Sequence, residues 1–124
     1  MANVLVVDDE ADVRAVLQRM LTHMGHQVWD AADGAEALQL LEAVRFDLVI
    51  TDVYMASVDG MELLVRIQQR GVPVPVVVIS GGGFMSTDEV LKMAASCGAV
   101  ATLDKPFTLD ELHETIEPFL PTAR

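Results

Sequence analysis

Five short strand-like runs, recurring every 20 to 28 residues, constrain this chain more than any other feature. Asn3 to Val7 breaks off sharply at Asp8, the pattern of a strand buried on both faces that has reached the edge of a sheet. Phe46 to Thr51 reads as another buried strand, ended by Asp52, and Val74 to Ser80 as a very apolar one, while His26 to Ala31 and Ala99 to Leu103 read as strands. Between the runs, apolar residues recur at helical spacing. Val13, Leu17, Met20, Leu21 and Met24 predict a first helix that stops at Gly25. Asp33 caps a second, to about Val44, and a third runs from Met61 to Arg70 after the Asp59-Gly60 turn. Ser86, Thr87, Asp88 and Glu89 have the capping-box pattern and open a fourth helix ending near Gly98. Thr108 to Glu111 opens a fifth, with Leu109, Leu112, Ile116 and Phe119 on one face. Strands alternating with helices in this way predict an α/β fold, a five-stranded parallel sheet with five helices on both faces.

A chain of 124 residues is one ordinary domain, with no linker, repeat or low-complexity stretch. At 52% hydrophobic residues it has the apolar surface to close a core. Its 19 acidic and 8 basic residues give a net charge of -11, which repels nucleic-acid phosphates and anionic membrane surfaces. No nucleic-acid or membrane partner is therefore expected. Cys97 is the sole cysteine, so neither an internal disulfide nor a zinc site begins there, and a reducing cytoplasm is the expected location. His23, His26 and His113 lack metal-ligand spacing and read as surface or helix-terminal residues.

In a sheet of this kind ligands sit at the carboxyl ends of the strands, where strand order reverses. That rule gathers Asp8 and Asp9 from the first strand, Asp52 from the third, Ser80 from the fourth and Lys105 after the fifth. Carboxylates roughly 5 Å apart repel by about 3 kcal/mol per pair at an effective dielectric near 20, which calls for a cation. A few hard oxygen ligands shared with a phosphate favour Mg²⁺ over Ca²⁺. In this reading Asp9 and Asp52 hold the metal and Asp8 assists as a ligand or through one. Asp52 attacks phosphorus, Lys105 pairs with the phosphoryl oxygens or with Asp52, and the Ser80 hydroxyl donates to a phosphoryl oxygen. Taken singly, Asp52 reads as a turn residue, Ser80 as a cap and Lys105 as a solvated charge; their order along the chain is what points to phosphoryl chemistry.

These residues resemble the receiver domains of response regulators, the phosphoacceptor half of two-component signalling, in their single-domain chemotaxis type. The resemblance spans nearly the whole chain and rests on Val6, Val7, Asp8, Asp9 and Glu10; on Asp52, Val53, Tyr54 and Met55 with Asp59 and Gly60 downstream; on Val78, Ile79 and Ser80; and on Asp104, Lys105, Pro106 and Phe107. It implies a flavodoxin-like fold with strand order 2-1-3-4-5 over residues 1–124, with no output domain. It also implies phosphorylation of Asp52, the backbone carbonyl of Tyr54 as a further metal ligand, and a histidine kinase or phosphotransfer protein as donor. A downstream target protein then reads the surface around the fourth helix and fifth strand. A monomer or a phosphorylation-dependent dimer fits, and such a protein is not a turnover enzyme.

The sequence departs from the family pattern in four places. Ala56 stands where proline is frequent and leaves the loop after Asp52 less rigid. Tyr54 is bulky enough to shield an acyl phosphate from water. Thr102 stands where an aromatic ring often rotates on activation, so no ring at that position can follow Ser80. Gly81, Gly82 and Gly83 make the next loop permissive. Three rival readings compete. A nucleotide-binding module is suggested by the run from Gly81 to Ser86, but Ser86 replaces the third glycine. A metal-dependent phosphohydrolase is opposed by Tyr54, where that chemistry wants an acid or base. In the third, a structural interaction protein, the acidic cluster binds no Mg²⁺.

Overall fold

The computed structural model describes residues 2–52, 60–70, 74–80, 92, 95–96 and 98–121. In chain order these form β1 (Asn3–Val7), α1 (Ala11–His23), β2 (Gln27–Ala31), α2 (Gly34–Ala43), β3 (Leu48–Asp52), α3 (Gly60–Gln69), β4 (Val76–Ser80), β5 (Ala101–Asp104), α4 (Leu109–Ile116) and a 3₁₀ turn, Glu117–Phe119. The helix predicted between Ser86 and Gly98 lies largely outside the described residues, as do Tyr54, Ala56, the three consecutive glycines and Cys97; Lys92, Ala95 and Ser96 are helical. Four α-helices are thus delimited among the described residues.

All strand pairs are parallel and their order is β2-β1-β3-β4-β5, the flavodoxin-like arrangement. Each central strand feeds both faces because its side chains alternate. Leu5, Val7, Val49, Val76 and Val78 pack against Ala37 and Leu41 of α2 and Leu63, Leu64 and Ile67 of α3. Val4, Val6, Leu48, Ile50, Val77, Ile79 and Leu103 pack against Leu17 and Leu21 of α1 and Leu112 and Ile116 of α4. Every residue of β3 and β4 is buried, which is why those runs carry almost no polar residues before their last positions. Each such aliphatic side chain contributes roughly 1.5–3 kcal/mol of burial.

The predicted caps at Asp33 and Thr108 hold, while the capping box at Ser86 lies outside the described residues. Asp33 accepts the Glu36 backbone N–H at 2.8 Å, and Thr108 and Glu111 form a reciprocal capping box. Past α1, the N–H groups of Gly25 and His26 bond the carbonyls of Thr22 and Leu21, the double bond of a Schellman motif, with Gly25 at φ 93°. A side chain at that φ is strained, so Gly25→Ala is expected to lower stability by about 1 kcal/mol in urea denaturation, even though an added Cβ meets nothing within 4 Å. Of the histidines, His26 accepts the Ala2 N–H on Nδ1 at 3.1 Å, and burial lowers its pKa. His113 lies 3.0 Å from Glu117.

Strand boundaries shift by one or two residues from the sequence reading. His26 and Phe46 precede their strands, and β5 begins at Ala101 rather than Ala99. Asp47, just before β3, donates its N–H to the carbonyl of Asn3 in β1 and accepts the Asn3 N–H on Oδ2, both at 2.8 Å. Val74 falls outside β4, which starts directly after Pro75, a residue with no N–H to offer a ladder.

Candidate functional site

The sheet register gathers the polar residues at the strands' carboxyl ends. Val7 pairs with Thr51, so the next residues, Asp8 and Asp52, stand side by side at the β1/β3 junction where strand order reverses. Asp52 pairs with Ile79, which sets Ser80 one residue beyond it, and Ser80 pairs with Asp104, which sets Lys105 beyond that. The Lys105 N–H continues the ladder by donating to the Ser80 carbonyl at 2.8 Å.

Asp8 is 0% exposed and Asp52 5% exposed, unusual burial for carboxylates without a counter-charge. The Lys105 ammonium provides one, at 3.3 Å from Asp52 Oδ2, 3.4 Å from Asp8 Oδ2 and 3.8 Å from Glu10 Oε1. Burial alone lowers the Lys105 pKa, but the charges of Asp52 and Asp8, and their hydrogen bonds, outweigh it; the net shift is upward. The ammonium is therefore fully charged at neutral pH. While its carboxylate partners are ionised, its pairing contributes stability below the ordinary lysine value of 10.5, and that contribution is lost as pH rises through the raised folded value.

Around the lysine, Asp8, Asp9, Glu10 and Asp52 each offer a carboxylate oxygen, all within 4.8 Å of one another. Four hard donors with a single lysine against them suit a small divalent cation. Asp9 and Glu10 are exposed and give the cluster its open side, whereas Asp8 and Asp52 form its buried floor. The loop carrying them is held from below. Asp8 Oδ1 accepts the Glu10 N–H at 2.9 Å, while Arg14 donates to the Asp8 carbonyl at 2.7 Å and to Asp30 Oδ2 at 3.1 Å, tying the end of β2 to the β1–α1 loop.

Asp8, Asp9, Asp52 and Lys105 are thus brought together as the sequence predicts, while Tyr54 lies outside the described residues. Ser80, 2% exposed, sits at the predicted strand end, but its hydroxyl donates to Asp104 Oδ1 at 2.7 Å. Glu10, Arg14 and Asp104 were missed as site residues. Glu10 adjoins the acidic pair and was visible as a third acid; Arg14 lies one helical turn beyond it, and Asp104 shows its role only through the β4–β5 register.

Residues 4–117 match the family model described as the response regulator receiver domain. The chain is 29% identical over 118 residues to sporulation initiation phosphotransferase F of Bacillus subtilis, covering 95% of this chain and 93% of that one. It is 38% identical over 109 residues to the transcriptional regulatory protein TcrA of Mycobacterium tuberculosis, covering 88% of this chain but 42% of TcrA. Among solved structures, the Vibrio cholerae chemotaxis protein CheY4 superposes with a TM-score of 0.86 at 33% identity, covering 97% of this chain and 99% of that one.

Proposed function

The chain belongs to the response regulator receiver domain family, the phosphoacceptor modules of two-component signalling, and from that premise we propose that it takes a phosphoryl group on Asp52 in the presence of Mg²⁺. The donor is a histidine kinase or phosphotransfer protein, and the output is the binding of a downstream protein. The observation that carries this is the placement of one buried carboxylate, Asp52, 3.3 Å from a fixed ammonium and inside a cluster of three further carboxylates.

A carboxylate oxygen of Asp52 attacks phosphorus, an acyl phosphate P–O bond forms, and the bond from phosphorus to the donor's leaving nitrogen or oxygen breaks, the leaving group departing with the electron pair. The incoming phosphoryl brings about two negative charges to a site already crowded with them. Lys105 meets the developing charge on the phosphoryl oxygens from a position it already holds, so no reorganisation is needed at the moment of transfer. Asp8, Asp9 and Asp52, with Glu10 at the open side, would hold Mg²⁺, which would supply the remaining neutralisation. Arg14 and the Glu10 N–H keep Asp8 oriented for that task. Action in the cytoplasm and the absence of catalytic turnover on small substrates belong to the same proposal; among the described residues no helix is long and apolar enough to cross a membrane.

The test is to incubate the protein with acetyl phosphate and Mg²⁺ and weigh it intact. Wild type is expected to gain one phosphoryl group, and Asp52→Asn, or wild type in excess chelator, to gain none. Equal labelling of Asp52→Asn would refute the assignment. Continuous hydrolysis of phosphate monoesters would instead favour a phosphohydrolase.

A further inference from the structure

The Ser80 hydroxyl has a single proton, and in this structure it is already given away. It goes to Asp104 Oδ1 at 2.7 Å, a length typical of a hydroxyl bonded to an ionised carboxylate. Ser80 is 2% exposed, so solvent does not readily replace that partner. The pairing follows from register: Ser80 and Asp104 are Cα partners on adjacent parallel strands, and Thr102 pairs with Val78 two positions earlier. Alternation puts Thr102 and Asp104 on the same side of β5, opposite Leu103, which packs toward α1 and α4. The residue touching the hydroxyl from this strand is thus a carboxylate at its end, with threonine, not a ring, two residues before it.

We propose that Asp104 is a positioning residue that competes with the phosphoryl group on Asp52 for the Ser80 proton, and so sets how strongly the unphosphorylated arrangement is held. The inference rests on Asp52 being the phosphoacceptor. To donate to a phosphoryl oxygen, the Ser80 O–H turns away from Asp104, because one proton serves one strong bond at a time. The two acceptors therefore exclude each other, and every bond made to the phosphoryl group by Ser80 releases Asp104. Since Asp104 is exposed at the end of β5, its carboxylate then becomes available at the molecular surface.

Beryllofluoride with Mg²⁺, a non-covalent stand-in for the phosphoryl group, tests this in a double-mutant cycle. Asp104→Ala is expected to bind it about tenfold more tightly than wild type, the gain from one charge-assisted bond no longer lost. Asp104→Asn, which keeps the shape and a weaker acceptor, is expected to fall between. In a Ser80→Ala background, the Asp104→Ala gain is expected to shrink to about twofold or less, since no proton remains to contest and only the loss of a nearby charge is left. An equal gain in both backgrounds, or none with Ser80 present, would overturn the proposal while leaving Asp52 as acceptor. Failure of wild type to bind beryllofluoride or to take up phosphoryl overturns both.

Discussion

Lys105→Ala is expected to slow phosphoryl transfer from acetyl phosphate to Asp52 by about 10²- to 10³-fold at saturating Mg²⁺, the range seen when one preorganised donor is removed from a site of developing charge. The magnitude follows from placement. The ammonium stands 3.3 Å from Asp52 Oδ2 and 3.4 Å from Asp8 Oδ2, and those two carboxylates keep it protonated against the effect of burial. It is thus a fixed charge, part of the fold before the donor arrives. Lys105→Arg is expected to recover only part of the rate, because a planar guanidinium keeps the charge but not the point geometry. Single-turnover rates by intact mass, read beside circular dichroism to confirm folding, give the answer. A rate within threefold of wild type would remove Lys105 from the chemistry.

Much of this placement is legible in the sequence because it depends on strand ends, and strand ends are where the apolar runs stop. Asp8, Asp52 and Ser80 each terminate a run buried at all or nearly all of its positions, so their position at the sheet's carboxyl edge follows from pattern alone. The caps at Asp33 and Thr108, and the stop at Gly25, are equally local and equally readable. Less visible is whatever depends on register between strands distant in sequence. That Ser80 faces Asp104 across 24 residues is decided by how β4 and β5 align, and no local spacing encodes it. For the same reason nothing in local spacing marks Arg14, which the structure shows spanning Asp8 and Asp30. The pairing of Asp47 with Asn3 across 44 residues is equally invisible in local spacing.

Mg²⁺ is expected to raise the melting temperature of the wild-type protein by about 10 °C when present at roughly one hundred times its dissociation constant. A ligand that binds only the folded state then contributes about 2.7 kcal/mol, and in a domain of this size each kcal/mol moves the midpoint by about 4 °C. Only the folded chain brings the four carboxylate oxygens within 4.8 Å of one another, so the unfolded chain offers no comparable site. Without the dication, one ammonium faces several carboxylates, two of them buried, and their mutual repulsion is a standing cost of the fold. Asp8→Asn separates this account from a general salt effect. It retains an oxygen to accept the Glu10 N–H that orients residue 8, while removing one full charge from the buried floor. That variant is therefore expected to melt higher than wild type in chelator, yet to gain less than half the wild-type increment from Mg²⁺. Scanning calorimetry in chelator and in Mg²⁺ at matched ionic strength measures both. Equal increments in the two proteins would mean that the cation acts elsewhere on this acidic surface, and that the cluster at the β1/β3 junction is not where it binds.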